Sequence, residues 1–296
     1  MIITELYNGQ VFGNQLACYV TTRVVALDKG YDFGVMNPHK FKGLDFMNLD
    51  FGLPVVGGEG PEGGPPSILP EGIDTYFKEK WWYLSNGSNV TIDDPNLELI
   101  SDNTKLDGIF QSENRIWHRK DEINRWLQVK PEKDCFEYSD ENICVINYRG
   151  SDYSGTADFH LHVKYWRDAV SRMLDINPNF QFVVITEDVP RASVTFPDFE
   201  VRHFNIGTDY SIIKNAYYLI LSNSSFPYFA TLANTRVKYI IAPKYWGRYN
   251  ISDGYWSCGY NIFRNHNYID RDNTIFTYDE CVKEFEEYKQ KTKLYG

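Results

Sequence analysis

The chain has 296 residues, 43% of them hydrophobic and 24% charged, with a formal net charge of -10. That length suits two domains or one large one. The acidic balance excludes a protein that grips nucleic acid through its general field, which needs clustered Lys and Arg, but leaves room for a local cationic site facing a diphosphate.

Five scattered cysteines, Cys18, Cys135, Cys144, Cys258 and Cys281, show no C-x-x-C spacing. They point to a reducing compartment, not to a disulfide scaffold or a zinc site. The chain does not open with a basic region followed by an apolar run, and no run of about 18 apolar residues occurs in it. A cytoplasmic protein without a membrane span is expected, so the sequons at Asn86, Asn89, Asn223 and Asn250 carry no glycan.

Residues 2–7 predict a first strand, followed by a loop through Gly9 and Gly13. Leu16, Tyr19, Val20, Arg23, Val24 and Leu27 then keep helical spacing until Gly30. Gly13, Asn14 and Gln15 thus fall at a helix N-terminus, where outward N–H groups favour negative charge. Residues 52–72 are dense in Gly and Pro and predict an exposed loop or a flap over a cleft. Trp81-Trp82-Tyr83 follows, as core packing or as lining of an acceptor site. Residues 97–110 predict strand, turn and strand around Asp107-Gly108. A helix is expected over 112–127 and a linker over 128–142.

The second half alternates strands and helices as an open parallel sheet does. Residues 143–148 predict a buried strand that opens into the loop Arg149-Gly150-Ser151-Asp152-Tyr153, and a helix follows near 163–175. A fully apolar strand at 180–186 ends at Glu187-Asp188. A short strand at 201–204 leads to Asp209 and a helix at 210–216. The strand 218–221 ends at Ser222-Asn223-Ser224-Ser225-Phe226, with a helix beginning at 227–232. A strand at 238–242, an aromatic loop over 243–256 and a polar helix at 279–290 complete the chain. The domains expected are 1–135 and 136–278, with 279–296 crossing back to the first.

In an open α/β sheet, ligands bind outside the carboxyl ends of the strands. The 147–153 and 222–226 loops should therefore face one crevice. Ser224 and Ser225 offer hydroxyls and free N–H groups to a phosphate, or simply cap a helix. Arg149 brings a fork of donors suited to a diphosphate.

These loops resemble the signatures of family-11 glycosyltransferases, the α-1,2-fucosyltransferases, and more distantly those of α-1,6- and protein O-fucosyltransferases. The family's G-x-G-N-Q loop is similar to Val11-Phe12-Gly13-Asn14-Gln15. Its H-x-R-R-G-D-Y loop aligns with Asn147 to Tyr153, and its N-S-S-F loop with Asn223-Ser224-Ser225-Phe226. Its I-A-P-K-x-W segment resembles residues 241–246.

The resemblance implies an α/β, GT-B-like fold of two Rossmann-like domains facing a cleft, and an inverting transfer of fucose from GDP-fucose to a glycan acceptor hydroxyl. No cofactor or metal is implied. Arg149 would hold the β-phosphate and stabilise departing GDP. Ser224, Ser225 and Phe226 would add donor contacts, and Asn14 would approach fucose and acceptor. Asn147 stands for the family histidine and Gly150 for its second arginine. Asp152 is a base or a loop-ordering carboxylate; His160, His162, Glu5 and Asp158 are further candidates for the base, and Asp188 and Asp209 for guanine contacts. Two alternatives remain open. One is a metal-dependent D-x-D transferase using Asp270-Arg271-Asp272, a pattern expected instead to be a charged hairpin turn. The other is a degenerate glycan-binding protein.

Overall fold

Short β-branched runs that end in polar loops form parallel strands throughout this computed structural model. It describes all residues except 56–68, 84–88, 92–93, 151–152, 154, 156, 253–261 and 293–296, and omits the side chains of 81–83, 89–91 and 292. The chain divides into two units, Met1–Gln128 and Val129–Gly296.

In the first unit β1 (Ile2–Glu5) leads into α1 (Phe12–Lys29), which is buried all round from Gln15 to Thr22. Gly30 ends the helix at φ 69, where it donates back to the carbonyls of Ala26 and Leu27, a geometry that a side chain would disfavour. The strands β2 (Phe33–Met36), β3 (Thr75–Lys78), β4 (Trp81–Tyr83), β5 (Asn89–Thr91) and β6 (Thr104–Asp107) follow. Four of them make a sheet in the order β2-β1-β6-β3 with every neighbour parallel, while β4 and β5 form an antiparallel hairpin.

Two local expectations fail here for physical reasons. Pro95–Leu99 is a 3-10 helix, because Asp94 accepts from the Asn96 N–H at 3.0 Å and Pro95 presets the first turn. The stretch 112–127 is broken into α2 (Glu113–Ile116), a 3-10 turn and α3 (Lys120–Trp126). At the break, His118 and Arg119 both reach Asp28, at 2.9 and 2.6 Å. The sheet also encloses a buried ion pair, Lys105 Nζ to Glu5 Oε2 at 2.7 Å, with Asn37 donating to the other carboxylate oxygen at 3.1 Å.

The second unit begins with β7 (Ile143–Asn147), α4 (Val163–Ile176), β8 (Gln181–Ile185), α5 (Val189–Thr195), β9 (Glu200–Arg202) and α6 (Ile206–Asn215). It continues through β10 (Tyr218–Ile220), α7 (Ser225–Leu232), β11 (Tyr239–Pro243), β12 (Asn267–Ile269), β13 (Ile275–Phe276) and α8 (Tyr278–Thr292). The sheet order is β9-β8-β7-β10-β11-β12-β13, parallel except at the β12–β13 edge. Counted from β7, the six parallel strands run 3-2-1-4-5-6, the doubly wound Rossmann order. The strand order reverses between β7 and β10, the point at which open α/β sheets place a ligand crevice. Asp270 Oδ1 accepts from the N–H groups of Asp272 and Thr274, both at 2.9 Å, so the Asp270–Asp272 segment makes the β12–β13 hairpin turn. No helix among the described residues is long and apolar enough to cross a membrane. Cys18, Cys135, Cys144 and Cys281 are free thiols.

His266 lies buried among Tyr228, Phe263 and Tyr268, and neither ring nitrogen has a hydrogen-bond partner. Burial depresses its imidazole to about 3. The unfolded chain, with its histidine near 6.5, therefore binds a proton that the native state refuses as pH falls from about 6.5 to about 3. Over that window this residue removes stability, at up to about 1.4 kcal/mol per pH unit. Thermal melts should show His266→Phe losing less Tm than wild type between pH 7 and pH 5. Equal losses would mean that the ring is solvated or paired.

Candidate functional site

The crevice in the second unit is assembled at the ends of β7 and β10. Strand pairing sets Ile146 beside Ile220. One step further, Ser222 Oγ donates to Asn147 Oδ1 at 2.8 Å, both side chains being buried. The amide at 147 thus ties the two loops together. Tyr148 turns inward between Trp166 and Phe196, with ring centroids at 5.3 and 5.9 Å. Alternation along the extended chain then sends Arg149 outward.

Arg149 is 23% exposed; its Nη1 lies 2.8 Å from Glu187 Oε1, and its guanidinium sits over Tyr153 at 5.4 Å from the ring centroid. A carboxylate from the end of β8 therefore orients the arginine from the end of β7. Gly150 is buried against that same β8 loop. A Cβ there would lie 2.8 Å from Asp188 Cβ and 2.9 Å from Asp188 Cγ, and nearer still to Oδ2, so backbone and carboxylate touch with no space for a side chain. Asp188 is the N-cap of α5: Oδ1 accepts from the Arg191 N–H at 3.4 Å, and Oδ2 lies 3.6 Å from Arg191 Nε.

On the other side of the crevice, Ser224 is the N-cap of α7 and makes no side-chain capping bond. Ser224 and Ser225 are each 7% exposed. Asn223 has a mechanical role, donating through Nδ2 to the carbonyls of Phe159 at 3.0 Å and Trp246 at 2.6 Å, while its buried Oδ1 has no partner. Phe226 meets Tyr210 edge to face at 6.1 Å. Lys244 of the 241–246 segment is buried, with Nζ 2.7 Å from Glu284 Oε2 and over the Phe276 ring, so it anchors α8.

Asp209 lies in the first turn of α6, which follows β9, two strands from the reversal point. It accepts from His203 Nδ1 at 2.9 Å and from the Phe204 N–H at 3.2 Å, and burial pushes its carboxyl above the usual range. Among the candidates for a base, Glu5 is held by Lys105 and Asn37. Asp158 pairs with Arg248, and His162 accepts from the Lys164 N–H as the N-cap of α4. His160 is partly exposed; burial, then the His162 and Arg191 charges, hold its imidazole below the usual value. Asp152 lies outside the described residues. In the first unit Gly13 is buried in α1, and Asn14 in the first helical turn accepts from Gln111 Nε2 at 2.7 Å. Gln15 is internal, donating to the Lys40 carbonyl and accepting from the Lys42 N–H.

Asn147, Ser222, Arg149, Glu187, Gly150 and Asp188 thus form one contiguous group, and Asp209 belongs to a separate element, α6. Glu187 and Ser222 enter it, and Arg191 adjoins it through Asp188, without having been named as site residues from sequence. The available signal was an acidic pair directly at the end of a fully apolar strand.

No family model matches the chain, and no curated protein matches it. Among solved structures it is similar to NodZ α-1,6-fucosyltransferase soaked with GDP-fucose, at 14% identity over 82% of this chain and 94% of that one, TM-score 0.45. It is also similar to a family 9 glycosyltransferase from Veillonella parvula, at 10% identity over 98% and 97%, TM-score 0.44. A third is E. coli heptosyltransferase WaaC with ADP, at 9% identity over 99% of each chain, TM-score 0.38. Likenesses this slight assign no function to the chain.

The Gly150 contact is directly testable. Gly150→Ala should cost about 1–3 kcal/mol in denaturant unfolding, as overpacking does. Adding Asp188→Gly should leave the double variant more stable than the two single costs predict; strict additivity would contradict the contact.

Proposed function

We propose that the chain is a GT-B glycosyltransferase that transfers fucose from GDP-fucose to a hydroxyl of a glycan acceptor, with inversion and in α-1,2 linkage. The observation that supports the donor half is the reversal of strand order between β7 and β10, with Arg149 and the start of α7 following these two adjacent strands at the carboxyl edge of a doubly wound sheet. The substrate class and linkage come from the loop signatures.

In this reading the guanidinium of Arg149 binds the diphosphate. As the glycosidic bond lengthens, negative charge grows on the β-phosphate, and a donor fork already oriented by Glu187 and Tyr153 needs little reorganisation to meet it. The N–H groups at the start of α7 and the hydroxyls of Ser224 and Ser225 supply further donors. Protein donors take the role that a divalent cation plays elsewhere, so turnover needs no metal. Asp270 does not suit the D-x-D alternative, because its carboxylate is engaged by turn N–H groups. The first unit receives the acceptor, with Asn14, steadied by Gln111, as one contact.

Acceptor-dependent GDP release from GDP-fucose tests this. Arg149→Ala should lower the rate at least about 100-fold, in the range found when a charge-stabilising donor is removed, with Tm nearly unchanged. Wild-type turnover should persist in EDTA. An unchanged rate in the variant would remove Arg149 from the donor site, and GDP binding without turnover on any acceptor would mark a glycan-binding protein.

A further inference from the structure

The loop that resembles H-x-R-R-G-D-Y has one arginine, Arg149, and a glycine where a second would stand. A second side chain cannot leave the backbone at position 150, because Asp188 fills the direction it would take. The Asp188 oxygen that closes this path is also the one facing Arg191 Nε at 3.6 Å.

We infer that Arg191, from the first turn of α5, delivers the second guanidinium to the donor diphosphate across Asp188, in place of a side chain at position 150. The inference rests on the donor-site reading above and adds a specificity-determining residue to it. Two further observations support the direction in which Arg191 points. Its charge is felt by His160, in the segment between β7 and α4, so the two side chains lie within electrostatic range of each other. It is also 55% exposed and paired at a distance longer than a hydrogen bond, so a ligand can recruit it without breaking a tight contact.

The charges at the ends of β7 and β8 then form two pairs, Arg149 with Glu187 and Arg191 with Asp188. The charges of these four described side chains cancel. A diphosphate offers each guanidinium a stronger partner than a carboxylate that is partly exposed or engaged as a helix cap. Arg149 and Arg191 arrive from the ends of the neighbouring strands β7 and β8, so an anion with two phosphates offers each guanidinium a group of its own. Arg191 therefore selects for the second phosphate.

Isothermal titration of GDP, GMP and guanosine into the full chain and its variants tests this. Arg191→Gln should weaken GDP about tenfold while changing guanosine less than twofold and GMP by an intermediate factor or less. Arg191→Lys should recover part of the loss, since it restores charge without the fork. Tm should stay close to wild type, which a purely structural cap partner would not predict. If Arg191→Gln binds GDP within twofold of wild type while Arg149→Ala is weakened, Arg191 does not touch the diphosphate and only this inference falls. If the wild-type chain binds no GDP, the donor-site reading falls and this inference with it.

Discussion

The parallel pairing of β7 with β10, closed by the hydrogen bond between Ser222 and Asn147, is the constraint on which the second unit depends. The pairing is the point where the strand order reverses, the place at which open α/β sheets bind ligands. The side-chain bond holds the two loop mouths at a fixed spacing. Its net value is only about 1 kcal/mol, but leaving either buried group unpaired would cost more, so the junction resists separation. Arg149 and the first turn of α7 inherit their positions from it.

Around that junction, polar side chains divide into those that build the loops and those that face the crevice. Asn223 secures the 159 and 246 backbones, Lys244 secures α8, and Asp209 orders the loop after β9. Such buried, hydrogen-bonded groups specify shape. Arg149, Arg191, Ser224 and Ser225 follow β7, β8 and β10 at the carboxyl edge of the sheet. The local cationic character there is compatible with an acidic chain because carboxylates balance it within the same loops.

The apolar strands of the second unit were legible in sequence because a strand buried on both faces needs an uninterrupted β-branched run, as in residues 181–185. The place of Arg149 just beyond a strand end was legible because it follows such a run. Boundaries governed by caps were read less well: α7 begins at Ser225, and α6 begins at Ile206 because Asn205 accepts from the Gly207 and Thr208 N–H groups. The break in 112–127 depends on Asp28, ninety residues away along the chain, and no local periodicity reports it. Gly150 looked like a lost arginine. Only its contact with Asp188, from the neighbouring strand, shows a glycine required by packing, and only that contact draws attention to Arg191.

The β7–β10 crevice, in our reading, is a nucleoside diphosphate site centred on Arg149. A thermal-shift comparison of GDP, ADP and UDP on wild type and Arg149→Ala tests this, because a ligand that binds only the native state raises Tm according to its affinity. GDP should raise the Tm of wild type clearly and the other nucleotides should raise it less, while none should raise that of the variant. A GDP-induced rise of equal size in Arg149→Ala would contradict the assignment.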